Sequence, residues 1–167
     1  MIPDRVVVEV EDVNESQKQV LYQKLVCYFG GSSDANLAVE DTILGKTVAV
    51  WGLAFKPETD DMREVPSIVL IEKLVAAGCK VRAYDPIVMP EAKRRLGDSI
   101  EYCRDIYDAA LGADALMLLT EWNAFRMPTW PAIKKLMNAP VIFDGRNIYD
   151  KKDLTELGFD YHCIGRN

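Results

Sequence analysis

The run Ala113-Asp-Ala-Leu-Met-Leu-Leu119 is the tightest constraint on how this chain can fold. An apolar stretch of this length suits a strand buried on both faces of a parallel sheet. Further short runs read as strands at Thr47 to Trp51, Cys79 to Tyr84, Ile100 to Cys103, Val141 to Phe143 and near Tyr161 to Ile164. Helical patterns fall between them at Ser67 to Ala77, Pro90 to Leu96, Ile106 to Leu111, Pro131 to Met137 and Lys151 to Leu157. Pro66 suits a first helical turn and Gly78 a helix end. Strands alternating with helices predict an α/β fold, a Rossmann-like doubly wound parallel sheet of about six strands.

A long helix precedes it, read over Val6 to Phe29 from Val10, Val13, Leu21, Leu25 and Val26 at mixed three- and four-residue intervals. Gly30 and Gly31 end it. A helix that opens a chain has little of its own to pack on, so it is expected to form half of an interface with another domain or subunit. Residues 30–43 are rich in Gly, Ser, Asp and Asn and read as a linker, leaving 44–167 as the α/β domain.

A chain of 167 residues, 49% hydrophobic, can bury one proper core plus a short appendage. Its net charge of -6 argues against a nucleic-acid-binding surface. No stretch is long and apolar enough for a transmembrane helix, and the N-terminus lacks a signal-peptide core, so a cytoplasmic location without membrane contact is expected. Cys27, Cys79, Cys103 and Cys163 form no C-x-x-C pair, and with the single His162 they make no zinc site by spacing. They are expected to be reduced and structural.

Candidate chemistry concentrates in the loop Ala54 to Pro66, which leaves the carboxyl end of the first strand, where open α/β sheets bind ligands. Lys56 and Arg63 stand there among Glu58, Asp60, Asp61 and Glu64. Cations held by neighbouring acids suit an anionic ligand such as a phosphate, although a solvated charged loop has the same composition. Phe55 beside Lys56 would suit a base or sugar ring next to phosphate oxygens. Arg63 lies just ahead of a helix N-terminus, which also favours anions, and could equally pair with its acidic neighbours. Arg146 follows another strand end, on the same rim, within Asp144-Gly-Arg-Asn147, which is also an ordinary turn sequence.

A dinucleotide fingerprint would require G-x-G-x-x-G between strand and helix. Only Gly52 is present, with Phe55 and Lys56 where glycines would stand, so this sheet has no dinucleotide site of its own. Asp85 ends the second strand, where an acid would hold a ribose, but reads as a turn former ahead of Pro86.

The wording Gly52-Leu-Ala-Phe-Lys-Pro-Glu-Thr-Asp-Asp-Met-Arg-Glu64 resembles the signature of the C-terminal, UDP-binding domain of the UDP-glucose 6-dehydrogenases, within the UDP-glucose/GDP-mannose dehydrogenase family. Asp144-Gly-Arg146, Thr120-Glu-Trp122 and, in the leading helix, Val13-Asn-Glu15 and Gln17-Lys18 resemble that family too, so the likeness runs over nearly the whole chain. It implies that Phe55, Lys56 and Arg146 contact a nucleotide sugar, UDP-glucose, and that Arg63 reaches the NAD bound by another domain. It also implies that residues 1–29 are the connecting helix of a homodimeric enzyme and 44–167 its nucleotide-sugar-binding domain. No role is assigned to Thr120-Glu121-Trp122, whose tryptophan reads as packing and whose acid reads as a cap or loop residue.

The family's N-terminal NAD-binding domain, central domain and catalytic cysteine motif are not matched here. No catalytic residue is therefore expected, and the chain alone is expected to be an inactive piece of an NAD-dependent oxidoreductase of polysaccharide biosynthesis. Other readings are the equivalent domain of a UDP-N-acetylmannosamine or GDP-mannose dehydrogenase, a stand-alone nucleotide-binding module, or an independent NAD-dependent reductase.

Overall fold

The computed structural model describes residues 20–29, 43–53 and 66–164. Six strands form one parallel sheet: β1 (Thr47–Trp51), β2 (Lys80–Tyr84), β3 (Glu101–Tyr102), β4 (Ala115–Leu118), β5 (Val141–Asp144) and β6 (Asp160–Cys163), in the order β3-β2-β1-β4-β5-β6. The order reverses between β1 and β4, which makes the gap beyond their carboxyl ends the topological switch point of a doubly wound fold. The predicted Rossmann-like sheet is thus present, with strand positions matching the apolar runs.

Side-chain alternation along the strands divides the core in two. Val48 and Val50 of β1, with Ala115 and Met117 of β4, join one buried cluster. Ala49 and Trp51, with Leu116 and Leu118, join the other. Helices α2 (Pro66–Ala76) and α3 (Met89–Leu96) bury Leu70, Ile71, Leu74, Ala92 and Leu96 in the first cluster. Helices α4 (Ile106–Ala110), α5 (Trp130–Leu136) and α6 (Lys151–Glu156) bury Ile106, Ile133 and Leu154 in the second. That arrangement leaves the first face of β4 and β5 without a crossover helix of its own.

Residues 20–29, helix α1, cover that face. Leu21, Leu25 and Val26 are buried in the cluster that holds Val141 and Phe143. At about 1.5–3 kcal/mol per fully buried aliphatic side chain, this contact is a substantial part of the domain's stability. Tyr28 meets the rings of Phe143 and His162 edge-on, at 6.1 and 5.5 Å between centroids, and the Lys24 Nζ donates to the Cys163 carbonyl at 2.5 Å. Gly145 permits the fit, because a Cβ there would lie 2.8 Å from Leu21 Cδ1 and 2.8 Å from the Leu118 carbonyl oxygen.

The expectation of a helix with little of its own to pack on is therefore corrected for residues 20–29. A doubly wound sheet leaves half of one face uncovered, and periodicity shows which side of a helix is apolar without showing what it covers. Ile43 is likewise fully buried rather than part of a linker, with the Cys79 thiol donating to its carbonyl at 3.3 Å. Cys79, Cys103 and Cys163 are buried, as their apolar contexts predict, while Cys27 is exposed. Burial pushes the thiols of Cys79 and Cys103 up to about 11, far from reactive thiolate character.

Candidate functional site

The carboxyl ends of β2, β1, β4 and β5 make one rim, held together by polar side chains that follow the strands. Asp85, directly after β2, is 1% exposed. Its Oδ1 accepts from the backbone N–H groups of Ile87 (2.9 Å) and Val88 (3.1 Å), forming the turn into α3. Its Oδ2 accepts from the Leu53 N–H (2.8 Å) and the Trp122 indole Nε1–H (3.1 Å). A carboxylate has about four lone-pair positions, and these donors fill them. Asp85 is the predicted turn former, and it also ties together the chain after β1, β2 and β4. Its acceptor capacity goes to the fold rather than to a ribose.

Gly52 serves the same closure. It adopts φ +97°, and a Cβ there would stand 2.6 Å from the buried Thr120 Cβ. The one glycine of the would-be fingerprint thus allows β1 to approach the end of β4. Ser67 Oγ donates to the Leu53 carbonyl at 2.8 Å, fastening the first turn of α2 to the strand end from which the loop departs. Phe55, Lys56 and Arg63, the other predicted site residues, lie outside the described residues.

Arg146 lies on this rim, in the turn after β5. The turn is built around Asp144, which is fully buried. Asp144 Oδ1 accepts from the Arg146 N–H at 2.9 Å, while Oδ2 accepts from Ile148 N–H (2.8 Å), Tyr149 N–H (3.1 Å) and Tyr161 O–H (2.7 Å). Asn147 takes a left-handed φ of 56° and pairs through both ends of its amide with the backbone of Ile164. Each residue of Asp144-Gly-Arg-Asn147 is therefore fixed, which a generic turn does not require.

The Arg146 guanidinium meets Glu121 in a two-pronged pair, Nε to Oε2 at 2.7 Å and Nη2 to Oε1 at 2.9 Å. Both side chains keep about a third of their surface open. The hydrogen bonds from Arg146 hold the Glu121 carboxyl below its ordinary range, and those to Glu121 strengthen the protonation of Arg146. Arg126 and Asp144 act on the pair from either side, one of each sign.

Sequence reasoning assigned no part to Thr120-Glu121-Trp122, yet each member works on the rim: Thr120 against Gly52, Glu121 on Arg146 and Trp122 on Asp85. The only sequence signal was an acid and an indole directly after a buried strand, which does not specify their partners. Among the described residues no group of three or more His, Cys, Asp or Glu side chains is placed to hold a metal ion, and no helix is long and apolar enough to cross a membrane.

A doubly wound parallel sheet whose strand ends are tied together by side chains, with a paired arginine on the same rim, defines a Rossmann-like domain. The family model described as "UDP-glucose/GDP-mannose dehydrogenase family, UDP binding domain" matches residues 49–151, and the chain belongs to that family. It is 41% identical over 92% of its length to UDP-glucose 6-dehydrogenase YwqF of Bacillus subtilis, and 43% identical over 94% to a UDP-glucose 6-dehydrogenase of Pseudomonas aeruginosa. It covers 32% and 34% of those proteins, so it spans about a third of the relatives it matches. A solved UDP-glucose dehydrogenase from Pyrobaculum islandicum superposes with a TM-score of 0.69 at 28% identity, over 90% of this chain and 30% of that one. A solved NDP-N-acetyl-D-galactosaminuronic acid dehydrogenase from Methanosarcina mazei gives 0.70 at 26%, over 92% of this chain and 29% of that one.

Proposed function

We propose that this chain is the nucleotide-sugar-binding domain of an NAD-dependent UDP-glucose 6-dehydrogenase, which oxidises UDP-glucose to UDP-glucuronate. Residues 44–167 hold the UDP-sugar, and the leading helix, residues 1–29, connects to the domains that carry NAD and the catalytic cysteine. The whole enzyme works as a cytoplasmic homodimer, and this chain alone is inactive. The relatives that support UDP-glucose as the sugar nucleotide are those at 41% and 43% identity.

One observation carries the reading: Arg146 is held by a turn whose every residue is fixed, on the same carboxyl rim of the sheet as the end of β1. Lys56 is three residues beyond Leu53 in the sequence. Phe55 supplies a ring face, Lys56 a compact cation for the pyrophosphate, and Arg146 a planar donor for the sugar nucleotide. Arg63 extends across a domain boundary to NAD.

Titration of UDP-glucose into the chain and its variants tests this assignment. Lys56→Ala and Arg146→Ala are each expected to weaken binding by about 2 kcal/mol, the cost of a lost charged hydrogen bond. Unchanged affinity in both variants defeats the assignment. In the longer enzyme Arg63→Ala is expected to raise the KM for NAD, and a defect confined to UDP-glucose contradicts its role.

A further inference from the structure

Glu121 stands outside the site residues legible in the sequence, yet it determines what Arg146 can offer a ligand. A guanidinium is planar and presents its N–H bonds in fixed directions. Glu121 takes the Nε–H and one Nη2–H, leaving both N–H bonds of Nη1 and the second of Nη2. Among the described residues no other side chain accepts a hydrogen bond from these donors. The backbone is fixed independently by Asp144 Oδ1 at the Arg146 N–H, so the side chain is held at its root and along one edge. An arginine so held cannot swing to follow an anion.

The pair also changes the charge of this corner. Within the pair the charges of Arg146 and Glu121 cancel. A guanidinium neutralised by its partner gains less from a pyrophosphate than a bare one, and its remaining donors, with the Glu121 carboxylate as an acceptor, suit uncharged hydroxyl and carbonyl oxygens.

We propose that Glu121 is a positioning and specificity residue: it locks Arg146 with its Nη1 edge free and neutralises it, so that this corner reads the uncharged oxygens of the nucleotide sugar rather than its phosphates. The inference rests on the nucleotide-sugar reading above and adds a residue and a discrimination to it. Phosphate recognition falls to other groups on the rim.

The test titrates UDP-glucose and UDP separately into the chain, at low and high salt, for wild type, Glu121→Gln, Glu121→Asp and Arg146→Lys. Glu121→Gln is expected to weaken UDP-glucose about tenfold while UDP binds as well or better, with a steeper salt dependence from the uncovered cation. Glu121→Asp keeps the charge but shortens the reach, so it is expected to weaken UDP-glucose without steepening the salt dependence. An unchanged ratio of the two affinities in Glu121→Gln, or an equal loss for both ligands, overturns the proposal. If Arg146→Lys weakens UDP-glucose while Glu121→Gln does nothing, the proposal fails and the nucleotide-sugar reading stands. Wild-type chain that binds neither ligand defeats both. A measurement that needs no variant is the NMR signal of the Arg146 Nε–H. It is expected to keep its shift and slow exchange when UDP-glucose is added, and collapse of that signal on binding shows that the ligand displaces Glu121, contrary to the proposal.

Discussion

The indole N–H of Trp122 donates to Asp85 Oδ2 at 3.1 Å, joining the chain after β4 to the end of β2 across β1. The same oxygen accepts from Leu53 at 2.8 Å, so one carboxylate fastens three neighbouring strand ends at the point where the sheet reverses. Replacing it with an amide leaves the shape but puts an N–H₂ where N–H donors converge. Asp85→Asn is expected to cost about 2–4 kcal/mol, and Trp122→Phe, which removes one donor, about 1 kcal/mol. Urea unfolding measures both, and equal, near-zero losses contradict the description of Asp85 as the fastening of the rim.

Gly52 and Gly97 both take positive φ, at +97° and +60°, but only Gly52 faces another residue. Alanine at Gly97 meets nothing within 4 Å, so its cost is the backbone strain alone, about 1–3 kcal/mol. Alanine at Gly52 adds a collision with Thr120 at 2.6 Å, and its loss is expected to exceed that of Gly97→Ala by at least about 1 kcal/mol. Equal losses in thermal or urea unfolding contradict the close approach of β1 to β4.

Leu25 of α1 is fully buried against the sheet. Leu25→Ala is therefore expected to destabilise the domain by about 2–5 kcal/mol, as for other core leucines. A loss near zero in urea unfolding contradicts the placement of residues 20–29 in the core and returns that helix to an outside partner.

Two groups make stability sensitive to acid in separate pH windows. Burial depresses the pKa of His162 below its ordinary 6.5, so the unfolded chain binds the extra proton first and stability falls as pH drops below about 6.5. Glu121, lowered from 4.5 by its hydrogen bonds from Arg146, contributes stability that is complete above 4.5 and is lost as pH falls through its folded value. Both slopes therefore have the same sign, in two windows. Thermal unfolding from pH 7.5 to 3.5 is expected to lose the upper step in His162→Gln and to shrink the lower step in Glu121→Gln. Removal of neither step contradicts the assignment.

The sheet was legible because buried parallel strands declare themselves: Thr47 to Trp51 and the run around Ala115 to Leu118 are apolar on both faces and almost wholly buried. The turn at Asp144 to Asn147 stood out as a candidate through its wording, and Arg146 does stand on the expected rim. The partners were not. Glu121 and Arg146 are 25 positions apart, and Asp85 and Trp122 are 37 apart. Neither separation has a local period, so only the β1-centred strand order brings them together. The docking of Leu21 and Leu25 was hidden for the same reason. An apolar stripe records that a helix is covered, and the uncovered half-face of β4 and β5 appears only once the crossovers are known.

The central claim is that the rim formed by the ends of β1, β4 and β5 holds a nucleotide sugar. The most direct measurement is the NMR footprint of UDP-glucose on the labelled chain. Backbone amide shifts are expected at Leu53, Ser67, Glu121 and Arg146, with none at Arg94 in α3 or at Arg104 after the edge strand β3. A footprint centred on Arg94 and Arg104, or no saturable shift anywhere on the rim, contradicts it.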